Sequence, residues 1–508
     1  MRKSKCQDDC LRGLGMRVGF DNDQYIEMQA ERIRRRIHQF GGKLYLEFGG
    51  QLFDDYHASR GLPGFAPDSK ARMLSALADD AEVLVAINAQ DIEKNKRRSD
   101  IGIGYDEDAL RLMDMFRAMG LLANKVVITR FTGQPHAEAY QRRLESMGVE
   151  CFRHYPIDGY PSNTKLIVSE EGFGKNDFAQ TTRPLVVVTA PGPGSGKLAT
   201  CLSQLYFEHK HGVEAGYAKF ETFPVWNLPL EHPVNVAYEA ATADLDDRNI
   251  IDPFHLEAYG EVTVNYNRDV ETFPVVRALL EKIQGESPYQ SPTDMGVNMV
   301  GKCISADPVC IEAAKNEIVR RYFWTAVELK RTGTGEGALS KIELLMGKAG
   351  VSENYSPARA AALAKEEETG LPAAAMVLTD GSLVTGKTSD LLGAASSLLL
   401  NALKRVAGIP KEHYVVSDAA LQPICKLKTD HLHSRNPRLH SDETLIALSI
   451  SSATNDEAAR AIEAAEDLRG CDAYFSVIVS PTDEKLYRSL GINVCCEPKY
   501  ERHTYYHR

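Results

Sequence analysis

Apolar residues recur along this chain with two alternating periods. Ile26, Ala30, Ile33, Ile37 and Phe40 fall three or four residues apart, which draws one apolar stripe down a helix. The run KLYLEF follows as a strand and ends in Gly49-Gly50. Further strands read as EVLVAIN, KVVIT and PLVVVTA, separated by helical segments carrying Leu110, Met113 and Phe116, or Tyr140, Leu144 and Met147. Short runs rich in valine and isoleucine, alternating with helices, predict an α/β fold with a mostly parallel, Rossmann-like sheet covered on both faces. Its strands are expected at 44–48, 83–87, 126–129 and 185–190, in a domain spanning 16–255. Residues 1–15 carry no such pattern and read as a disordered extension.

The pattern changes near residue 256. VVRALLEKI, EAAKNEIVRRYFWTAVELK and ARAAALAKEEE are helical in period, so 256–370 reads as a mainly helical domain. From 371 to 508 a C-terminal α+β domain is expected. It starts with a hairpin in AMVLTDGSLVTG and a helix in SDLLGAASSLLLNALKRV. Strands LIALSIS, YFSVIVS and INVCCE follow, separated by helices NDEAARAIEAAEDL and DEKLYRSLG.

Composition narrows the class. At 508 residues the chain exceeds the size at which one hydrophobic core keeps growing, so several domains are expected. Hydrophobic residues at 43% and charged residues at 25% belong to a folded globular protein. No apolar run approaches the roughly 20 residues of a membrane span, and MRKSKCQDDC lacks the apolar segment of a secretory signal. A net charge of −11 argues against general binding to nucleic acid or anionic membranes. Arg32, Arg34, Arg35 and Arg36 read as a solvated helix face. The cysteines are scattered with no CxxC pair, which suits free thiols in a cytoplasmic protein.

The clearest chemical signal lies in PLVVVTAPGPGSGKLATCLSQLYFEH, residues 184–209. A buried strand runs into Gly192, Gly194 and Gly196, then Lys197, then Leu198, Cys201, Leu202 and Leu205 at helical spacing. Glycines let backbone N–H groups turn inward without a Cβ in the way, and the helix N-terminus adds a dipole that favours anions. Gly192, Gly194, Ser195, Gly196, Lys197 and Thr200 are therefore the candidate cofactor-binding residues. The segment is similar to a Walker A loop but departs from it twice. Pro191 occupies the place of the first glycine, and Leu198 stands where a Ser or Thr would hold magnesium, leaving Thr200 or a water to do so. A structural Gly/Pro turn is the competing reading. A second stretch, Gly381 to Thr388, matches GxxxxGKT letter for letter. It follows Asp380 in a hairpin pattern, and a β-strand cannot wrap a phosphate.

Other polar groups are weaker signals. Asp54, Asp55 and His57 follow the first strand, where open α/β sheets place ligands. Asp294 and Asn298 lie in the Gly/Pro-punctuated segment SPYQSPTDMGVNMVGK. These five are candidate substrate-binding residues, with a capped loop before a helix as the competing and stronger reading of the second segment. Glu239, Asp244, Asp246 and Asp247 read as a solvated helix end. His431, His433 and His440 share a short polar stretch, but no zinc spacing is present and HExxH is absent from the chain, so no metal ligand is assigned.

KLYLEFGGQLFDDYHASRGLPGF, NAQDIEKNKRRSDIGIGYD, the glycine loop, KFETFPVWNLPLEHPVN, SPTDMGVNM and GKTSDLLGAASSLLLNALK together resemble a bacterial domain-of-unknown-function family of about 500 residues. The resemblance runs from Met16 onward. It implies a multidomain α/β architecture and self-association into a homo-oligomer. Some members carry the label of an ATP-dependent zinc protease; the missing HExxH removes the protease half of it. The function expected from the residues is binding of a nucleotide or another small phosphorylated ligand by an enzyme of kinase or ligase type. ATP with magnesium would be its cofactor and Lys197 its catalytic residue, neutralising charge during phosphoryl transfer. The alternatives are a non-catalytic sensor of a phosphorylated metabolite and a metal-dependent hydrolase built on the C-terminal histidines.

Overall fold

The computed structural model describes residues 18–50, 52–53, 55–98 and 102–501. The extension at 1–15 lies outside the described residues. The chain divides into two units: Gly19–Glu239 with Asp247–Ile311, and Ala240–Asp246 with the chain from Glu312 onward.

The first unit is built on strands β1 (Leu44–Phe48), β2 (Ala81–Asn88), β3 (Leu122–Thr129), β4 (Glu150–Arg153), β5 (Leu185–Thr189) and β6 (Gly216–Phe220). After an antiparallel pair, β7 (Asn249–Ile251) and β8 (Val264–Tyr266), strand β9 (Gly296–Val297) joins the same sheet. The order is β4-β3-β2-β5-β1-β6-β9, and every pairing in it is parallel. All four strands expected from the valine- and isoleucine-rich runs are in this sheet.

Each strand alternates its side chains between two cores, because successive Cβ atoms point to opposite faces. Leu44, Leu46, Val85, Ile87 and Val187 enter the core covered by helices α1 (Asn22–Gln39), α2 (Ser69–Ser75), α3 (Tyr105–Ala118) and α4 (Pro135–Ser146). Tyr45, Leu84, Ala86, Val186 and Val188 enter the opposite core, which α5 (Lys197–Lys210) and α6 (Asn267–Gln284) cover. The stripe read from the sequence supplies Ala30, Ile33 and Ile37 of α1 to the first core, and the Asp21 side chain caps that helix through the N–H of Gln24 at 2.9 Å. A fully buried Val, Leu or Ile contributes about 1.5–3 kcal/mol by leaving water, so both layers are held by the strands they share.

This layering positions the site. The chain leaves β1 toward α2 and β2 toward α3, both in the first layer. It leaves β5 toward α5, in the second. Strand β5 lies between β2 and β1, so the loops at its C-terminal end and at its neighbours' ends part to opposite faces. Such a switch point opens a crevice beyond the carboxyl ends of the strands.

In the second unit, β10 (Ala373–Val377), β11 (Leu383–Lys387), β12 (Asp472–Phe475) and β13 (Asn493–Cys496) form a mixed sheet in the order β11-β10-β12-β13. Strands β10 and β11 are the expected hairpin. Gly381 at its turn has φ 81°, and Asp380 accepts the N–H of Ser382 at 2.8 Å. The letter-perfect GxxxxGKT is therefore a turn and a strand. A Cβ on Gly386 would lie 2.3 Å from the backbone nitrogen of Leu398, so that glycine serves close packing of strand on helix.

Two elements differ from expectation: of YFSVIVS only Tyr474 and Phe475 are strand, in β12, which begins at Asp472. LIALSIS is not a strand but lies within a helix, Ser441–Ser452. The helix is started by a capping box between His440 and Glu443, and it buries Thr444, Ala447, Leu448 and Ser451 at helical spacing. The helices expected over 256–370 divide between the units. Helix α6 stands with the large sheet, whereas Glu336–Ala349 and Pro357–Thr369 stand with the small one. The eight described cysteines are all free. Among the described residues, no helix is long and apolar enough to cross a membrane.

Candidate functional site

The glycine loop occupies the switch point. Strand β5 ends at Thr189, and α5 begins at Lys197 with Gly196 as its N-cap. Two glycines are required by conformation: Gly194 has φ 77° and Gly196 φ 90°, a region costly to other residues. Gly192 is required by space, since a Cβ there would lie 2.3 Å from the Tyr105 hydroxyl.

The loop's carbonyls are held by its neighbours. Asn88, at the end of β2, donates to the Gly194 carbonyl at 3.4 Å. Thr129, at the end of β3, donates to the Ser195 carbonyl at 2.8 Å. The buried Ser195 hydroxyl donates to the Gly192 carbonyl at 2.9 Å. No described residue accepts a hydrogen bond from the backbone N–H of Gly194, Gly196 or Lys197. The loop therefore fixes its acceptors inward and leaves donors for an anion, at the positive end of a helix dipole.

Lys197 opens α5 and stands within a charged group drawn from four elements. Burial pushes its pKa below the usual lysine range, Glu47 opposes that shift, and Lys219 and Arg268 add to it. Glu47 lies on β1, opposite Val188 of β5 on one side and Lys219 of β6 on the other. Its carboxylate accepts the Tyr217 hydroxyl at 2.8 Å. Lys219 pairs with Glu221 at 2.9 Å and also donates to Asp269 in the first turn of α6. Burial works against the charge on Lys219, but Asp269, Glu221 and Glu47 outweigh it and raise its pKa. Burial raises the Glu221 pKa against the pull of Lys219, and one oxygen of its carboxyl has no partner among the described residues. Burial likewise opposes ionisation of Asp269, but Lys219 and Arg268 hold its pKa low. Two neighbouring carboxyls pushed apart in this way can divide proton-donor and proton-acceptor roles.

The residues expected from sequence fall into three places. Gly192, Gly194, Ser195, Gly196 and Lys197 come together as the loop, with Thr200 fully buried in the first turns of α5 and its hydroxyl unpartnered among the described residues. After β1, Asp54 lies outside the described residues. Asp55 caps a short helix through the N–H of Ala58 at 3.1 Å and forms a buried ion pair with Lys70 at 2.7 Å. The His57 ring packs against those of Phe223 and Tyr238, with centroids 5.6 and 5.0 Å away. Asp294 and Asn298 flank β9 at the sheet's edge. Asp294 accepts the Tyr259 hydroxyl at 2.8 Å, and the Asn298 amide donates to the Thr222 and Pro224 carbonyls at 3.2 and 3.0 Å. These bonds fasten the segment that follows β6.

Sequence reading passed over Glu47, Lys219, Glu221 and Asp269. A signal existed: LYLEF and GYAKF each carry one charge inside an otherwise apolar or aromatic strand, near its C-terminal end. Among the described residues, no group of three or more His, Cys, Asp or Glu is placed to hold a metal ion. His440 is engaged with Asp483 at 3.1 Å.

Fold and loop together define an open α/β protein, wound on both faces of a parallel sheet, with a glycine-rich turn at its switch point. The chain belongs to the family described as "Domain of unknown function DUF1846": residues 18–350 match its N-terminal model and residues 354–506 its C-terminal model. It is 56% identical over 492 residues to the UPF0371 protein cu0538 of Corynebacterium urealyticum, covering 97% of this chain and 99% of that protein. It is 53% identical over 489 residues to a UPF0371 protein of Streptococcus pneumoniae serotype 19F, covering 96% and 99%.

Proposed function

We propose that this protein binds a nucleotide or another phosphorylated small molecule in the loop 192–197 and uses it as a phosphotransferase or ligase. The observation that carries the reading is the loop itself, with Gly194 and Gly196 in the left-handed region, its carbonyls tied to Asn88 and Thr129, and Lys197 following it as the first residue of α5. Phosphoryl transfer asks little covalent chemistry of a protein. Oriented donors and a fixed cation supply most of what is needed, because charge on the transferred group is met without reorganisation. Lys197, partly desolvated, interacts more strongly with a phosphate than a solvated lysine would.

Magnesium would accompany a nucleoside triphosphate. Leu198 offers it no ligand, Asp269 and Glu221 are engaged with Lys219, and Glu47 already accepts the Tyr217 hydroxyl, so Thr200, whose buried hydroxyl has no partner among the described residues, or a water would have to hold it. The test is a thermal-shift and calorimetric comparison of the full chain with Lys197→Ala, against nucleotides and sugar phosphates. The reading expects a stabilising ligand whose affinity falls about tenfold or more in the variant, the worth of a charge-assisted hydrogen bond. Equal affinity in both proteins refutes it. Tight binding with no turnover identifies a sensor in place of an enzyme.

A further inference from the structure

We infer that a second site, beyond the C-terminal ends of β1 and β6, binds a small carboxylate through Tyr25, Lys70 and Thr222. Its binding needs nothing from the loop 192–197, whereas its role as a second substrate rests on the phosphate reading of that loop. The Tyr25 and Thr222 hydroxyls have no hydrogen-bond partner among the described residues. The Lys70 ammonium has one, the Asp55 carboxylate at 2.7 Å, and keeps its other N–H donors unspent. Tyr25 is 0% exposed, Lys70 4% and Thr222 6%. At such depth folded proteins almost always satisfy their polar groups, so three unsatisfied ones together point to a ligand.

Strand register and helix contacts bring the three together. Phe48 and Phe220 are register partners at the ends of β1 and β6. Gly50 and Thr222, each two residues further on, therefore leave the sheet side by side. A Cβ on Gly50 would lie 3.1 Å from the Lys70 ammonium, which fixes that cation against the end of β1. Helix α1 supplies Tyr25. Before it, Asn22 accepts the N–H of Ala66 at 3.0 Å and the hydroxyl of Ser69, the neighbour of Lys70. One turn after it, Gln29 donates to the Val297 carbonyl at 2.7 Å, and Val297 pairs with Phe220. Tyr25 stands between these anchors on one face of the helix. Burial is the main cause that raises its pKa; the Thr222 hydroxyl lowers it and Asp55 raises it, so the phenol lies near both while bonded to neither.

Chemistry selects the ligand. The unspent groups are ammonium N–H and two hydroxyls, all of them donors. The nearby acceptor is committed, since Asp55 meets Lys70 with one oxygen and the N–H of Ala58, at 3.1 Å, with the other. A group that accepts several hydrogen bonds and donates none is an anion. Asp55 already offsets the charge of Lys70, so a single negative charge suits the site better than the two of a phosphate. A carboxylate carries one charge and has about four acceptor positions. It is also the group that a ligase activates with a phosphoryl donor, and the order β5-β1-β6 sets this site beside the loop that follows β5.

Calorimetry on the full chain with acetate, and with acetamide as its uncharged counterpart, tests this at constant ionic strength. Wild type is expected to bind acetate at least about tenfold tighter than acetamide. Lys70→Met breaks a buried ion pair and unsettles the fold, so Tyr25→Phe and Thr222→Val are the informative variants. Each is expected to keep the wild-type thermal midpoint without acetate, because no bond is lost, and to bind acetate about fivefold more weakly. Wild type that binds acetate no tighter than acetamide overturns the inference. So do two variants that both bind acetate like wild type. Lys197→Ala should leave acetate affinity unchanged. If that variant also fails to weaken a phosphorylated ligand, the loop reading falls with the second-substrate role, and the carboxylate site stands.

Discussion

Gly194 and Gly212 form a matched pair on which phosphate binding makes an unusual demand. Both have left-handed backbones, φ 77° and 73°, and a Cβ added to either would meet nothing within 4 Å. Gly194 lies in the loop before α5, and Gly212 just beyond the other end of that helix. Alanine at either position pays for the left-handed conformation alone, about 1–2 kcal/mol, because no neighbour is struck. Chemical denaturation should therefore give the two variants equal losses of stability, with thermal midpoints down by a few degrees. Binding should separate them. If phosphate lies in the open space above Gly194, a methyl group there should weaken a phosphorylated ligand at least about tenfold. Gly212→Ala should bind like wild type. Calorimetry with tripolyphosphate or a nucleotide reads the difference. Equal affinities in the two variants would show that the left-handed glycine serves the turn alone, and would refute a ligand role for the loop's geometry.

Three further outcomes follow from the structure. His154 is buried, its pKa is pushed down to about 4 by that burial, and its ring pairs with the Asp177 carbonyl at 3.2 Å. Below about pH 6.5 the unfolded chain takes a proton that the folded one refuses, so stability should fall as pH drops from about 6.5 to about 4. The loss reaches about 3 kcal/mol, and His154→Gln should flatten that slope in denaturation measured across pH. Lys70→Met leaves Asp55 as an uncompensated buried charge and should cost about 3–5 kcal/mol; a loss under about 1 kcal/mol would refute the structural role of that pair. Lys387→Ala should leave every phosphate affinity unchanged, because its GxxxxGKT is a hairpin, and a weakened ligand in that variant would reverse the assignment of the two glycine motifs.

What can be read from the chain is what local physics decides. Strands β1, β2, β3 and β5 are buried on both faces, so their residues form continuous apolar runs, and the glycine loop announces itself because turn, strand and helix are contiguous. LIALSIS misleads because its isoleucines and short apolar run favour a strand locally, but the capping box of His440 and Glu443 starts a helix whose buried face the core then keeps. The charged group around Lys197 is not legible. Glu47, Lys219 and Asp269 stand far apart along the chain and meet only through strand register and the packing of α6, which no local pattern encodes. Asp55 is legible as a polar residue at a strand end, but its partner Lys70 is not, and that partner turns a suggested ligand contact into a buried ion pair.

Phosphate binding by the loop is tested most directly by a crystal structure of the full chain grown with a non-hydrolysable nucleoside triphosphate and magnesium. The expected result is phosphoryl oxygens within hydrogen-bonding distance of the N–H groups of Gly194 to Lys197 and of the Lys197 ammonium. A nucleotide bound elsewhere, with those donors facing only water, would contradict it.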